Sequence, residues 1–223
     1  MQYLGGKQRI ANWVVYHLEE ARKDRPYLEP FIGAANIFTK MRGGRIGSDI
    51  HPDLILLLIA IRDGTIELPT SVSEEEYQRI RREPPSALRG FVGFGCSFSG
   101  KFFGGYSRDP KSNRSYAANS AATLPLLKHG LQATELRNCD YRQHDPKGYL
   151  IYCDPPYAGT TKYSHDFDHG IFWETMRQWA RHNTVIVSEY TAPSDFRCLA
   201  ERQSGKLQWR NAQDQRTERL FTL

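Results

Sequence analysis

Only four cysteines occur in 223 residues, Cys96, Cys139, Cys153 and Cys198, and no two of them form a CxxC pair. That excludes a zinc knuckle or a disulfide framework as the basis of the fold, and a reducing cytoplasm fits such usage. Long hydrophobic runs are missing as well. The longest, Leu54 to Ile61, is eight residues, against the roughly eighteen that a membrane span takes. The N-terminus carries no charged-then-apolar signal pattern, so a soluble, unexported chain with no membrane partner is expected. There is no internal repeat and no low-complexity tract. The dinucleotide fingerprint GxGxxG is absent around Gly33, which argues against a dehydrogenase. A GxxxxGK match at Gly95 to Lys101 continues into Phe102, where a nucleotide-hydrolysing loop needs Ser or Thr for magnesium, so an ATPase is excluded. His165 and His169 have metal-like spacing but no cysteine or HExxH frame around them, and no metal is expected.

What is present suffices for a folded core. Hydrophobic residues make up 39%, aromatic residues 12% and charged residues 25%, a composition that excludes disorder and fits one domain, or one domain with an insertion. Thirty Lys and Arg against twenty-five Asp and Glu leave a net charge of +5, which permits nucleic acid as a partner without requiring it. Apolar residues at Ile10, Trp13, Val14, Leu18 and Ala21 follow the spacing of an amphipathic helix. Tyr27 to Ile32 reads as a strand running into the small residues Gly33-Ala34-Ala35, with a helix from about Ala35 to Met41. Arg45 to Ile50 reads as a second strand, and Pro52 opens an apolar helix that Gly64 stops. This βαβα order predicts an α/β fold with a parallel sheet and ligands beyond the carboxyl ends of its strands. Further on, a helix over Tyr116 to Lys128 with a kink at Pro125 and a stop at Gly130 is expected. Strands follow at Ala133 to Leu136, Tyr149 to Cys153 and Thr184 to Ser188, a helix at Phe167 to Ala180, and an edge strand in the tail RTERLFTL.

Between about Thr65 and Arg114 core periodicity stops. The positive charge gathers in its later part: Arg79, Arg81, Arg82, Arg89, Lys101, Arg108, Lys111 and Arg114 stand against only Glu83 and Asp109 from residue 79 onward. Residues 1–64 and 115–223 are read as the core and 65–114 as an insert. Two readings of the insert stay open: a DNA-contacting surface with stacking or wedging aromatics (Phe98, Phe102, Phe103, Tyr106), or a solvated charged loop over an aromatic minicore.

The strongest local signal is Asp154-Pro155-Pro156-Tyr157, delivered by the buried-type strand Tyr149 to Cys153. Two prolines stiffen the chain and donate no hydrogen bonds while their carbonyls still accept. The plain alternative is a rigid turn. As chemistry, Asp154 and the Pro155 carbonyl can take the two N–H groups of an exocyclic amine while the Tyr157 ring stacks on a flat heterocycle. Acceptors on both N–H groups push the delocalised lone pair of such an amine forward for in-line attack on an activated methyl donor. Alignment, placed dipoles and water exclusion supply the catalysis. A base in duplex DNA must leave the stack to reach such a corner.

With these residues in view, the sequence resembles the DNA adenine-N6 methyltransferases of the Dam-like and phage-borne class, whose motif order is cofactor, target recognition, catalysis. Tyr3 to Lys7 (YLGGK) is similar to the family's N-terminal motif, Glu29 to Asn36 (EPFIGAAN) to its cofactor turn, Ser48 to Ile55 (SDIHPDLI) to its third segment, and Asn138 to Tyr141 (NCDY) to the pair before the catalytic strand. The resemblance implies a Rossmann-like sheet that binds S-adenosylmethionine and transfers its methyl group to a flipped adenine in double-stranded DNA. It gives Asp154, Pro155, Pro156 and Tyr157 the catalytic roles. It places Glu29, Phe31, Gly33 and Ala34 at the methionine end of the cofactor and Asp49 on the ribose hydroxyls. Asp140 falls on the cofactor adenine, flanked by Tyr141 and Ile50, with Tyr3, Gly5, Gly6 and Lys7 closing over it. Taken alone, each acidic residue is equally a helix cap or a solvated turn. Ala34-Ala35 stands where a glycine pair is usual, and the insert is shorter than in larger relatives, so no recognition sequence carries over. DNA contacts are assigned on physical grounds to Arg89, Lys101, Phe102, Arg108, Lys111 and Arg114. Alternatives are cytosine-N4 methylation by the same corner and an inactive DNA-binding relative. A monomer or weak dimer in a bacterial cytoplasm is expected, with phage origin or a restriction-modification role as family analogy.

Overall fold

The computed structural model describes residues 6–108, 115–157, 167–203 and 217–223. Seven strands form one sheet: β1 (Tyr27–Glu29), β2 (Arg45–Asp49), β3 (Glu135–Asn138), β4 (Leu150–Cys153), β5 (Thr184–Glu189), β6 (Arg197–Gln203) and β7 (Thr217–Thr222). Their order is β3-β2-β1-β4-β5-β7-β6. The first five are mutually parallel, and β7 runs antiparallel to both β5 and β6. The chain steps outward from β1 to β3 and then jumps back to β4 on the other side of β1. Adjacent β1 and β4 therefore flank the point where the winding reverses, which is where sheets of this Rossmann-like kind open a crevice for ligands.

Alternation along the strands divides the core between the two faces of the sheet. Tyr27, Leu150, Tyr152, Ile186 and Leu220 join one buried cluster, and their neighbours Leu28, Ile151, Cys153, Val185, Val187 and Phe221 join the other. On the first face lie α1 (Ala11–Arg22) and α2 (Pro52–Asp63), with Leu54, Leu57, Leu58 and Ile61 buried. Each such side chain contributes about 1.5–3 kcal/mol by leaving water. On the second face α7 (His169–Ala180) buries Phe172, Trp173, Met176 and Trp179.

The segment after α2, where core periodicity was expected to stop, holds two helices. Ser73 caps α3 (Glu74–Ile80) in a reciprocal box with Glu76. Ser86 caps α4 (Ala87–Gly95), which packs on α2. A Cβ on Gly90 would lie 2.3 Å from the Asp53 carbonyl oxygen, so the missing side chain there lets the two helices touch. Tyr77, Phe91, Phe94 and Phe103 are buried in the same cluster as α2. Core periodicity therefore continues through the insert.

Other expectations need adjusting. The helix expected from Ala35 to Met41 is a single 3₁₀ turn, Phe38–Lys40, because Ala35 already sits at φ +57 and cannot enter an α-helix. The helix from Tyr116 divides into α5 (Tyr116–Thr123), a 3₁₀ turn at Pro125 and α6 (Lys128–Leu131). Gly130 does not stop it. It lies inside α6, where a Cβ would meet the Thr39 carbonyl oxygen at 2.5 Å. The tail strand β7 is not at the edge. It runs between β5 and an unforeseen strand, β6, whose exposed and charged residues give no buried-face signal.

Candidate active site

Four acidic side chains gather at the carboxyl ends of the parallel strands. Glu29 closes β1, Asp49 closes β2, Asp140 follows β3 and Asp154 follows β4. Parallel pairing in register sets them in one row, because every strand ends on the same side of the sheet.

Glu29 is buried and accepts a 2.7 Å hydrogen bond from the Tyr27 hydroxyl. Burial pushes its carboxyl well above the usual value, with the Tyr27 bond opposing and the nearby Asp154 charge adding. Asp49 accepts from the backbone N–H of Gly33 at 3.2 Å and of His51 at 3.0 Å. Burial nonetheless pushes it up to about 6. Gly33 makes this contact at φ +48, a conformation glycine adopts without cost. Beside Asp49 the side chain of Ile50 is 52% exposed, an apolar surface next to a carboxylate. Asp140 binds the Arg142 backbone N–H at 2.9 Å and the Arg142 guanidinium at 2.7 Å. Phe31 and Tyr141 stack 5.2 Å apart within an aromatic group that includes Phe167 and Phe172. Ala34 is buried beneath the turn.

Asp154 receives the Lys7 ammonium, Nζ to Oδ1 2.8 Å, and the same ammonium lies 3.6 Å from Glu218 Oε1. All three side chains are at least four-fifths shielded. Burial works against the charge on Lys7, but the two carboxylates outweigh it and its pKa rises. Burial also raises Asp154, and Lys7 pulls it back. The Lys7 ammonium stands 4.3 Å over the Tyr157 ring, while Tyr190 meets that ring edge-on at 4.6 Å. The Tyr157 and Ser188 hydroxyls both donate to Glu218 Oε1. Pro155 is buried and Pro156 half-buried behind this corner.

Glu218 and Ser188 escaped the sequence reading. Both lie in segments recognised as strands, but only the insertion of β7 beside β5 brings Glu218 against Tyr157. Gly6 is exposed next to Lys7, and Tyr3 and Gly5 lie outside the described residues.

The residues assigned to DNA are more dispersed. The Arg89 guanidinium bonds to the buried Asp53 at 2.6 Å and lies over the Phe102 and Phe103 rings. Phe102 is half-buried against His51 and Phe94. Lys101 is exposed, and Arg108 is exposed and paired with Glu74. Lys111 and Arg114 lie outside the described residues. Phe103 is buried, and the Tyr106 hydroxyl donates to the Val72 carbonyl. Phe98, 69% exposed, stands at a turn closed by the Ser97–Tyr106 bridge. Among the described residues no group of three metal-ligating side chains occurs, and no helix is long and apolar enough to cross a membrane.

Residues 3–85 match the family model for the D12 class N6 adenine-specific DNA methyltransferases. The sheet and this match together support an S-adenosylmethionine-dependent methyltransferase. Over that stretch it is similar to the DNA methyltransferases specific for adenine N6. No curated protein matches the chain. Among solved structures it is similar to the rRNA methyltransferase aviRa from Streptomyces viridochromogenes, at 15% identity and TM-score 0.43 over 96% of this chain and 84% of that one. It is also similar to yhhF from Escherichia coli, at 12% identity and TM-score 0.42 over 96% of this chain and 85% of that one.

Proposed function

We propose that the row of carboxylates at the strand ends binds S-adenosylmethionine and that the Asp154 corner receives an adenine extruded from duplex DNA. The residues fit the cofactor. Asp49 offers a carboxylate to two ribose hydroxyls, exposed Ile50 offers an apolar face to a flat ring, and the Gly33 turn allows close approach. Glu29 stands one strand away, where a ligand ammonium would favour its ionised form. When bound, the cofactor supplies an activated methyl group.

One observation carries the reading: the carboxylate of Asp154 already holds an N–H donor, the Lys7 ammonium, at 2.8 Å beside the face of the Tyr157 ring. An adenine amine stacked on Tyr157 presents the same donor chemistry to the same oxygen. Asp154 and the Pro155 carbonyl accept its two N–H groups, which leaves the lone pair directed away from both. With a methyl group added to that nitrogen, one amine proton would become acidic. A carboxylate whose pKa burial has raised is a better acceptor for it than an ordinary one.

The insert supplies the DNA surface in this reading. Lys101, Arg108, Lys111 and Arg114 reach phosphates, and exposed Phe98 fills the space that the extruded base leaves. Arg89 and Phe102 hold that surface against α2 from beneath.

Incubation with methyl-tritiated cofactor and unmethylated plasmid DNA, followed by nucleoside digestion and mass spectrometry, tests the proposal. Label in N6-methyladenine supports it. Label in N4-methylcytosine moves the substrate, and no incorporation while cofactor binds leaves a DNA-binding protein.

A further inference from the structure

The Lys7 ammonium occupies the oxygen that the target amine needs. Lys7 Nζ is 2.8 Å from Asp154 Oδ1, so an arriving base must displace it. Moving a buried ammonium into an apolar space would cost several kcal/mol, and leaving two carboxylates without a cation beside them would cost as much again. A second seat is therefore needed close by. Glu218 Oε1 lies 3.6 Å from the same ammonium, outside ordinary hydrogen-bond range but within a small side-chain rotation. The other bonds of that oxygen come from Tyr157 and Ser188, so the seat is fixed to the base-stacking ring. Lys7 belongs to the segment before α1, a place where a side chain can shift without disturbing a helix.

We propose that Glu218 is a positioning residue that takes over the Lys7 ammonium when the target amine settles on Asp154. The exchange keeps one cation among two carboxylates throughout, so the net charge of the buried group does not change. It links entry of a base to withdrawal of Lys7 and keeps the Tyr157 ring in place meanwhile. With no base present, Lys7 closes the corner with a donor of its own. The inference rests on the assignment of Asp154 as acceptor of the target amine.

A double-mutant cycle tests it. Glu218→Gln keeps a carbonyl acceptor for Tyr157 and Ser188 but loses the charge that draws Lys7. It should raise KM for unmethylated plasmid DNA by about tenfold, with a smaller change in kcat. In a Lys7→Met background the same substitution should change KM by less than about twofold, because there is no ammonium to move. Fluorescence anisotropy of labelled duplex DNA with S-adenosylhomocysteine present reads the same cycle where turnover is too slow. Equal effects in both backgrounds would mean that Glu218 acts only through Tyr157, and the inference falls. No effect in either background also overturns it. Circular dichroism checks that each variant is folded, and Glu218→Asp, which keeps the charge, should recover most of the wild-type KM. The two failures are distinguishable. If the assignment of Asp154 is wrong, Asp154→Ala keeps its turnover, whereas failure of the inference leaves Asp154 essential and the cycle uncoupled.

Discussion

Two buried aspartates of this chain each hold a cation, and their settings differ. Asp53 on α2 is 1% exposed, binds the Arg89 guanidinium at 2.6 Å and also accepts the Ser86 backbone N–H at 2.9 Å. Both ends of that pair sit on helices joined through the contact at Gly90, and two phenylalanine rings cover the guanidinium. Asp154 holds Lys7 by one contact, on a loop after a strand, with a second carboxylate 3.6 Å from the same ammonium. A forked cation with every direction filled is a lock, whereas a point charge shared between two carboxylates is exchangeable. The net charges are alike, so the difference lies in the shape of the cation and in what surrounds the pair.

The largest expected effect falls on the exchangeable pair. Asp154→Ala should lower kcat by about a thousandfold or more while DNA affinity stays within a few-fold, as removal of a transition-state contact does. Near-normal turnover of that variant, measured by label incorporation, would take Asp154 out of the reaction. Next comes the lock. Arg89→Ala leaves the buried Asp53 charge unpaired and should cost about 3 kcal/mol of stability in urea denaturation, whereas Glu218→Gln, which leaves the Lys7 ammonium on Asp154, should cost less than about 1 kcal/mol. Equal losses would erase the distinction between the two pairs.

Acidity sharpens the contrast further. The Asp49 carboxyl is raised from 3.8 to about 6 in the folded protein. In the proposed role Asp49 holds the ribose hydroxyls in its ionised form, so cofactor affinity should weaken about tenfold per pH unit below about 6, as isothermal titration calorimetry can follow. The stability contribution has the opposite sense. A group with a raised folded pKa stabilises in full below its unfolded value and loses that contribution as pH rises through about 6. Asp49→Asn should accordingly raise the melting midpoint at pH 8 by about 2–4 °C and abolish cofactor binding. A lower midpoint would show that the carboxylate stabilises the fold. The smallest effect is expected at the surface: neutralising Lys101, Arg108 and Lys111 together should weaken DNA binding and flatten its salt dependence by about three charges' worth. An unchanged slope would move the DNA surface elsewhere.

Much of this arrangement was legible from residue order. The periodicity of α1, the proline that opens α2 and the buried-type strand ahead of Asp154 each act within a few residues, and local sterics decide them. The row Glu29, Asp49, Asp140, Asp154 was readable because a βα order forces strand ends to one side. The hidden parts all depend on distant partners. Gly90 and Gly93 carry no local sign of their role, which is to admit the α2 backbone and the Phe102 ring against them. Arg89 looked like a phosphate contact, and only its proximity to Asp53, thirty-six positions away, turns it inward. Glu218 had no local signal at all.

The sequence by itself determined the parallel sheet, the acidic strand ends and the stiff Asp-Pro-Pro-Tyr corner, because strand alternation and proline geometry are properties of neighbouring residues. The tertiary structure alone decided which cation each aspartate holds, that the insert shares the main core, and that β7 slots between β5 and β6 to bring Glu218 to Tyr157. Those outcomes follow from packing and charge compensation between residues far apart in the chain, and no short-range rule encodes them.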